Sequence, residues 1–237
     1  EDWVWGQLIG SDTKPVQTND EGYRVYRSIN GGYTNDPTQA FDGIQQDADG
    51  NYLIGSLGDW WEFADIVETT PTANAKMTED IDLGDNQKVV GYSSYFKGIF
   101  DGQGHTITVN LTPTKISYGL FCSINGATIK NLRVAGTINT LTYSYIGGIV
   151  GLSYQTNTIT NCRSSVTLNA SLPGQGHHGG LVGYHSGTLN ISDCIFDGVF
   201  EGENTSGWGG LVGYKYAGAV NINNFLFNPA GLNCSDG

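Results

Sequence analysis

Gly147-Gly148-Ile149-Val150-Gly151 returns as Gly179-Gly180-Leu181-Val182-Gly183-Tyr184 and again as Gly209-Gly210-Leu211-Val212-Gly213-Tyr214, with Tyr118-Gly119-Leu120-Phe121 as a degenerate earlier copy. The glycine before the aliphatic residue falls at 119, 148, 180 and 210, a spacing of about 30 residues. A fixed period in that range is the mark of stacked repeats. A second element keeps step with the first: Thr128-Ile129-Lys130-Asn131-Leu132, Thr158-Ile159-Thr160-Asn161-Cys162, Asn190-Ile191-Ser192-Asp193-Cys194 and Asn221-Ile222-Asn223-Asn224-Phe225.

Alignment of the copies gives columns: Ile129, Ile159, Ile191 and Ile222; then Leu132, Cys162, Cys194 and Phe225; then Val134, Ser164, Phe196 and Phe227; then Ile138, Leu168 and Phe200. From Leu132 to Ile138 the inward positions share one parity, as side chains on one face of a strand must. Ile129 has the opposite parity, so the phase slips at Asn131, Asn161, Asp193 and Asn224. That slip predicts a corner between two strands, where Asn and Asp tolerate left-handed backbone angles and bond neighbouring amides. Stacked at one corner, these residues are expected to form a ladder along the axis.

Each repeat therefore reads as three short strands that make one coil and pair with the coils above and below. The expected fold is all-β, a right-handed parallel β-helix (β-solenoid) with coils of about 30 residues. An up-and-down barrel or a sandwich predicts hairpin turns at shorter spacing instead.

Upstream, Lys97-Gly98-Ile99-Phe100-Asp101-Gly102-Gln103-Gly104-His105-Thr106-Ile107 reads as a shortened repeat, and Ala75 to Leu83 as a strand of the first coil. Near residues 59–68 the pattern changes to helical: Trp60, Phe63, Ala64 and Val67 form an i, i+3, i+4, i+7 face, with Asp59 as expected N-cap and Glu62 three residues later. An amphipathic helix there is expected to cap the open end of the solenoid. Glu21 to Asn30 reads as a strand and Gly31 to Asp49 as loop. The organisation expected is residues 1–70 as extension and cap, and 71–237 as repeats whose last copy stops near Phe227 without an evident cap, as in a part of a longer protein.

The charge is uneven. The net −12 divides into 17 acids and 6 bases up to Lys97, then 6 acids and 5 bases from Gly98 on. No basic stripe exists to neutralise phosphates, which excludes nucleic acid as the expected partner and disfavours polyanionic lipid surfaces. No apolar run reaches the ~20 residues of a membrane span, so no membrane insertion is expected. Glu1-Asp2-Trp3 lacks the basic start and apolar run of a secretion signal, which is expected to have been removed. Cys122, Cys162, Cys194 and Cys234 lie far apart, without the close pairs of a zinc or redox motif. Cys162 and Cys194 share a column with Leu132 and Phe225 and read as small apolar core residues.

These repeats, Gly180-Leu181-Val182-Gly183 and Gly210-Leu211-Val212-Gly213 above all, resemble the GLUG-type repeats of bacterial surface proteins. Phe100-Asp101-Gly102-Gln103-Gly104-His105-Thr106-Ile107 is similar to the segment that introduces them. The likeness covers roughly Met77 to Phe227. Such repeats occur in large exported proteins, including adhesin-like proteins and some immunoglobulin-cleaving metallopeptidases with a separate catalytic domain. The His-Glu-x-x-His of that chemistry is absent here. The resemblance implies an extracellular or cell-surface setting, with binding of a glycan or of a host or neighbour-cell protein, or spacing, as the task.

Several motifs carry competing readings. Parallel β-helices also serve polysaccharide lyases and hydrolases, which need paired carboxylates or a base beside charge-neutralising groups. Asp193, Asp197, Glu201 and Glu203 crowd into one coil rather than stacking across coils, so no catalytic residue is expected and the degrading enzyme is the alternative reading. Asp101-Gly102-Gln103-Gly104-His105 reads as a Gly-rich turn without a base for its histidine. His177-His178 is an unpromising metal pair because neighbours on a strand point to opposite faces, and no metal or cofactor is expected. Asp47-Ala48-Asp49-Gly50-Asn51 lacks the closing Glu of a calcium loop and reads as a hairpin turn.

Binding residues are expected on the loops before each Gly-Gly-aliphatic strand: 139–146, 169–178 and 201–208. There Ile146, His178 and Trp208 align, preceded by Tyr145, His177 and Gly207. The candidate ligand-binding residues are Tyr143, Tyr145, His177, His178 and Trp208, whose rings and polar groups suit sugars; the competing reading is that Trp208 and Tyr145 simply cover the coil edge.

Overall fold

The computed structural model describes residues 4–30, 32–113, 115–140, 145–170, 176–203 and 208–235. It is an all-β parallel β-helix of stacked coils with one α-helix. One face runs Ile81–Asp82, Thr106–Leu111, Arg133–Thr140, Arg163–Ala170, Val199–Glu203 and Gly231–Ser235, each strand parallel to the next. A second runs Tyr52–Ile54, Ala75–Met77, Ile99–Asp101 and Thr128–Lys130, and continues in the later halves of three long strands: Val150–Thr160, Val182–Phe196 and Val212–Phe227. The earlier halves of those strands form the third face with Phe121–Asn125. A short rim ladder, Ser117–Tyr118, Tyr145–Gly147 and His177–Gly179, lies beside it.

The expected columns are the observed register. Ile129, Ile159, Ile191 and Ile222 are paired in sequence, as are Val134, Ser164, Phe196 and Phe227. The corner lies where the phase slips: Asn131, Asn161, Asp193 and Asn224 have φ of 54°, 51°, 55° and 52°, and Gln103 joins them at 52°. Asn131 Nδ2 donates to Asp101 Oδ1 (2.8 Å), Asn161 Nδ2 to Asn131 Oδ1 (2.8 Å) and Asn224 Nδ2 to Asp193 Oδ1 (2.7 Å).

The Gly-Gly pair has a steric cause. A Cβ on Gly179 would lie 2.1 Å from the Val182 carbonyl oxygen, and one on Gly180 2.6 Å from the Phe196 ring. The chain thus bends sharply and then passes directly over a core side chain, and both steps require a bare backbone. Cys122, Cys162 and Cys194 are buried free thiols, whereas Cys234 is exposed. Burial holds the Cys162 thiol well above its ordinary range.

The helix, Leu57–Thr69, sits between the first two strands of the second face. The parallel ladder therefore begins at Tyr52, ahead of residue 71. Its N-cap is Ser56, not Asp59: the Ser56 hydroxyl accepts from the Asp59 N–H (3.1 Å) and donates to the Asp59 carboxylate (2.7 Å). The cap thus starts three residues earlier than expected, because the apolar face starts a turn before Trp60, and the Asp59 carboxylate also accepts from the Gly55 N–H (3.1 Å). Trp60, Phe63, Ala64 and Val67 are buried as expected. Trp60 meets Phe100 and Phe121 edge-on at 6.1 and 6.2 Å, and Phe63 meets Phe96 at 6.1 Å, so the helix closes the core at this end.

Two other expectations change. Glu21 to Asn30 is not a strand; the Asp20 carboxylate accepts from the Gly22 N–H (2.8 Å) and draws Glu21–Tyr23 into a 3-10 turn, leaving only Tyr26–Arg27 to pair with Tyr33–Thr34. Ala75 to Leu83 divides into Ala75–Met77 and Ile81–Asp82 on two faces. At the far end the coil runs past Phe227, since Gly231–Ser235 pairs with Val199–Glu203.

Candidate functional site

Strand alternation decides which expected site residues face solvent. Tyr145 pairs with His177 and Ile146 with His178 on the rim ladder. Neighbours on a strand point opposite ways, so Tyr145 and His177 stack outside with rings 6° from parallel and 5.8 Å apart. Ile146 and His178 are buried. His178 packs edge-on against Trp208 at 4.7 Å, and Trp208 against Phe200 at 5.5 Å. The expected five-residue site is therefore split. Tyr145 and His177 remain candidates, His178 belongs to the interior, Trp208 is half-buried against the core edge, and Tyr143 lies outside the described residues.

Tyr145 and His177 instead join an aromatic strip on the outer side of the third face. Leu152, Tyr184 and Tyr214 are in register there. Tyr145 contacts Tyr184 at 4.8 Å, and His177 stacks on Tyr214 at 4.4 Å. Tyr154 links Tyr95 (5.7 Å) to Tyr184 (6.0 Å), and Tyr184 continues to Tyr214 (5.7 Å) and Tyr216 (6.2 Å). Tyr216 is 68% exposed; a local register shift after His185 places it as the extra residue of its strand. Burial, with Tyr154, Tyr216 and Tyr214 close by, pushes the Tyr184 phenol up.

Sequence reasoning missed most of this strip. Tyr184 and Tyr214 carried a signal, since each follows the Leu-Val-Gly of its repeat and the column was visible. Tyr95 and Tyr154 carried none, because their contact depends on how a chain outside the repeat register folds back.

The other polar clusters at the surface are internally paired. Asp197 receives Arg163 through two guanidinium nitrogens and the Ser165 hydroxyl (2.6 Å), and the Arg163 partner holds its carboxyl below the usual range. Glu68 takes the backbone N–H groups of Tyr92, Ser93 and Ser94 at 2.8 to 3.1 Å. Asp47 accepts from Lys76 (2.7 Å) and closes the turn with Asn51, the hairpin read from the sequence. His105 does have a carboxylate partner, Asp80 at 3.1 Å, contrary to the turn's expected lack of one. The pairing arises because Asp80 lies one coil earlier, 25 residues away. Inside the coils, Ser153, Asn157 and His185 form a buried polar group in which the Ser153 hydroxyl meets His185 Nδ1 (3.0 Å) and Asn157 Nδ2 (2.9 Å).

No known protein family, curated protein or solved structure matches the chain.

Proposed function

We propose that this chain is a non-catalytic binding module of an exported or cell-surface protein, and that it takes carbohydrate on the aromatic strip. The observation that carries this reading is the continuous row of outward rings from Tyr95 through Tyr154 and Tyr184 to Tyr214. Aromatic side chains combine a broad apolar face with a polar tip, which matches a sugar's C–H face and its hydroxyl rim. The resemblance of the repeats to those of bacterial surface proteins supports the extracellular setting, and the lack of a basic stripe speaks against nucleic acid.

The test is affinity electrophoresis of the protein in gels cast with a panel of soluble polysaccharides, with reducing-end analysis of the same mixtures. The expected result is saturable retardation without new reducing ends, lost in Tyr184→Ala/Tyr214→Ala while circular dichroism is unchanged. New reducing ends would replace this reading with a degrading enzyme. Retardation by no polysaccharide would remove it.

A further inference from the structure

We infer that the ligand of this strip is an uncharged, extended glycan chain lying parallel to the solenoid axis and held by rings from three successive coils. The inference rests on reading the strip as a carbohydrate site.

The direction follows from how the rings are placed. Tyr145, His177 and Tyr214 come from consecutive coils, as do Leu152, Tyr184 and Tyr214. Each coil advances about 4.8 Å along the axis, close to the length one pyranose occupies in an extended chain. Successive sugars would therefore meet successive coils in phase. A ligand running across the axis at the coil of Val182–Phe196 would meet His177, Tyr184 and then Ser186, two rings against the three of Tyr154, Tyr184 and Tyr214 along the axis.

Charge selects the class. The outward residues interleaved with the rings are Ser123, Asn125, Leu152 and Ser186, none of which is ionic. Lys115 lies over the Tyr92 ring at 3.3 Å and donates to the Tyr92 carbonyl at 2.9 Å, so it is already engaged at the margin, and Lys215, between Tyr214 and Tyr216, falls in the inward His185 column of its strand. An acidic sugar chain needs Arg or Lys at each repeat to offset loss of water around its carboxylates. The row offers hydroxyls and ring faces, which suit neutral sugars.

Open surface adjoins the strip among the described residues. Beside it a shallow hollow of about 410 Å³, lined by Tyr92, Lys115, Ser117, Ser123 and Leu152, opens along the same face.

The experiment uses the full chain and two uncharged series, cello-oligosaccharides and chito-oligosaccharides of increasing length, measured by calorimetry at low and high salt. For a series that binds, the expected Kd falls about tenfold from the dimer to the tetramer and then levels off, with a change under about twofold on adding salt. Tyr154→Ala should weaken the longer oligomers and spare the dimer. Tyr216→Ala, at the most exposed ring, does the same without touching the fold. Equal Kd for dimer and hexamer would overturn the axial chain in favour of a single sugar pocket, and steep salt dependence or preference for an acidic polysaccharide from the panel would overturn the uncharged class. Binding of no sugar in either series or the panel would instead overturn the parent reading.

Discussion

The two ends of the solenoid carry the same kinds of residues in the same columns and treat them oppositely. At the start, the helix Leu57–Thr69 lies across the first coils, and Trp60, Phe63, Phe96 and Phe100 are fully buried. At the finish, Ile222, Phe227 and Leu232 are 52%, 40% and 59% exposed, although they continue the Ile191, Phe196 and Phe200 columns in register. Position in a column sets which way a side chain points. Burial comes from the next coil or from a cap. The finishing coil also carries little to discourage contact: from Trp208 to Ser235 its one charged residue is Lys215, although Pro229 and the register shift before Tyr216 are devices that blunt a strand edge.

The largest expected effect tests that distinction within one column. Phe196→Ala should cost about 3 to 5 kcal/mol, the usual range for a buried ring, and Phe227→Ala less than about 1 kcal/mol, as for an uncovered position. Urea titration of both variants measures the difference. Equal losses would mean that the finishing end is covered in solution and would break the comparison.

A smaller effect lies at the capped end. Ser56→Ala removes the acceptor for the Asp59 N–H and a donor to its carboxylate, so it should cost about 0.5 to 2 kcal/mol, the range for losing an N-cap. Loss of helical circular dichroism before loss of strand signal on heating would show that the cap unfolds as its own unit. If Ser56→Ala left stability unchanged, closure by the helix would rest on the aromatic contacts alone.

Much of the fold was legible because a solenoid repeats its constraints. The Asn corner, the column order and the Gly-Gly bend each recur, so one copy corrects the reading of another. Where repetition stops, legibility stops with it: Glu21–Tyr23 turns on one local bond from Asp20, and Asp80 reaches His105 only through stacking of irregular early coils. The site was legible in part. Pairing Tyr145 with His177 and Ile146 with His178 was correct as alignment, but the candidate list took both parities of one strand, and alternation sends His178 inward. Trp208 was read both as a binding ring on the loop and as cover for the coil edge. It lines the hollow at the finishing end, beside Phe200 and Phe227, in keeping with the second reading.

The smallest effect concerns the corner ladder, which joins the two ends and is interrupted between them. Asn161 and Asn131 each donate to the coil before, and Asn224 donates to Asp193. Asp193 has only acceptor oxygens when ionised, so it has no donor to pass on to Asn161, and the run of side-chain bonds stops there. Asp193→Asn supplies that donor and keeps a residue that tolerates the left-handed φ of 55°. Both groups are exposed at the corner, so the gain should be a fraction of one hydrogen bond, on the order of 0.5 kcal/mol. Losing the carboxylate beside Arg133 and Arg163, which line the same hollow, offsets part of it, by an amount that added salt should reduce. The measurement is therefore a double-mutant cycle: Asp193→Asn in the parent and in Asn161→Ala, each by urea titration at high salt. A gain present in the parent and absent without Asn161 assigns it to the restored ladder. The same gain in both backgrounds would assign it to backbone preference at position 193, and the ladder would carry no stability across the break.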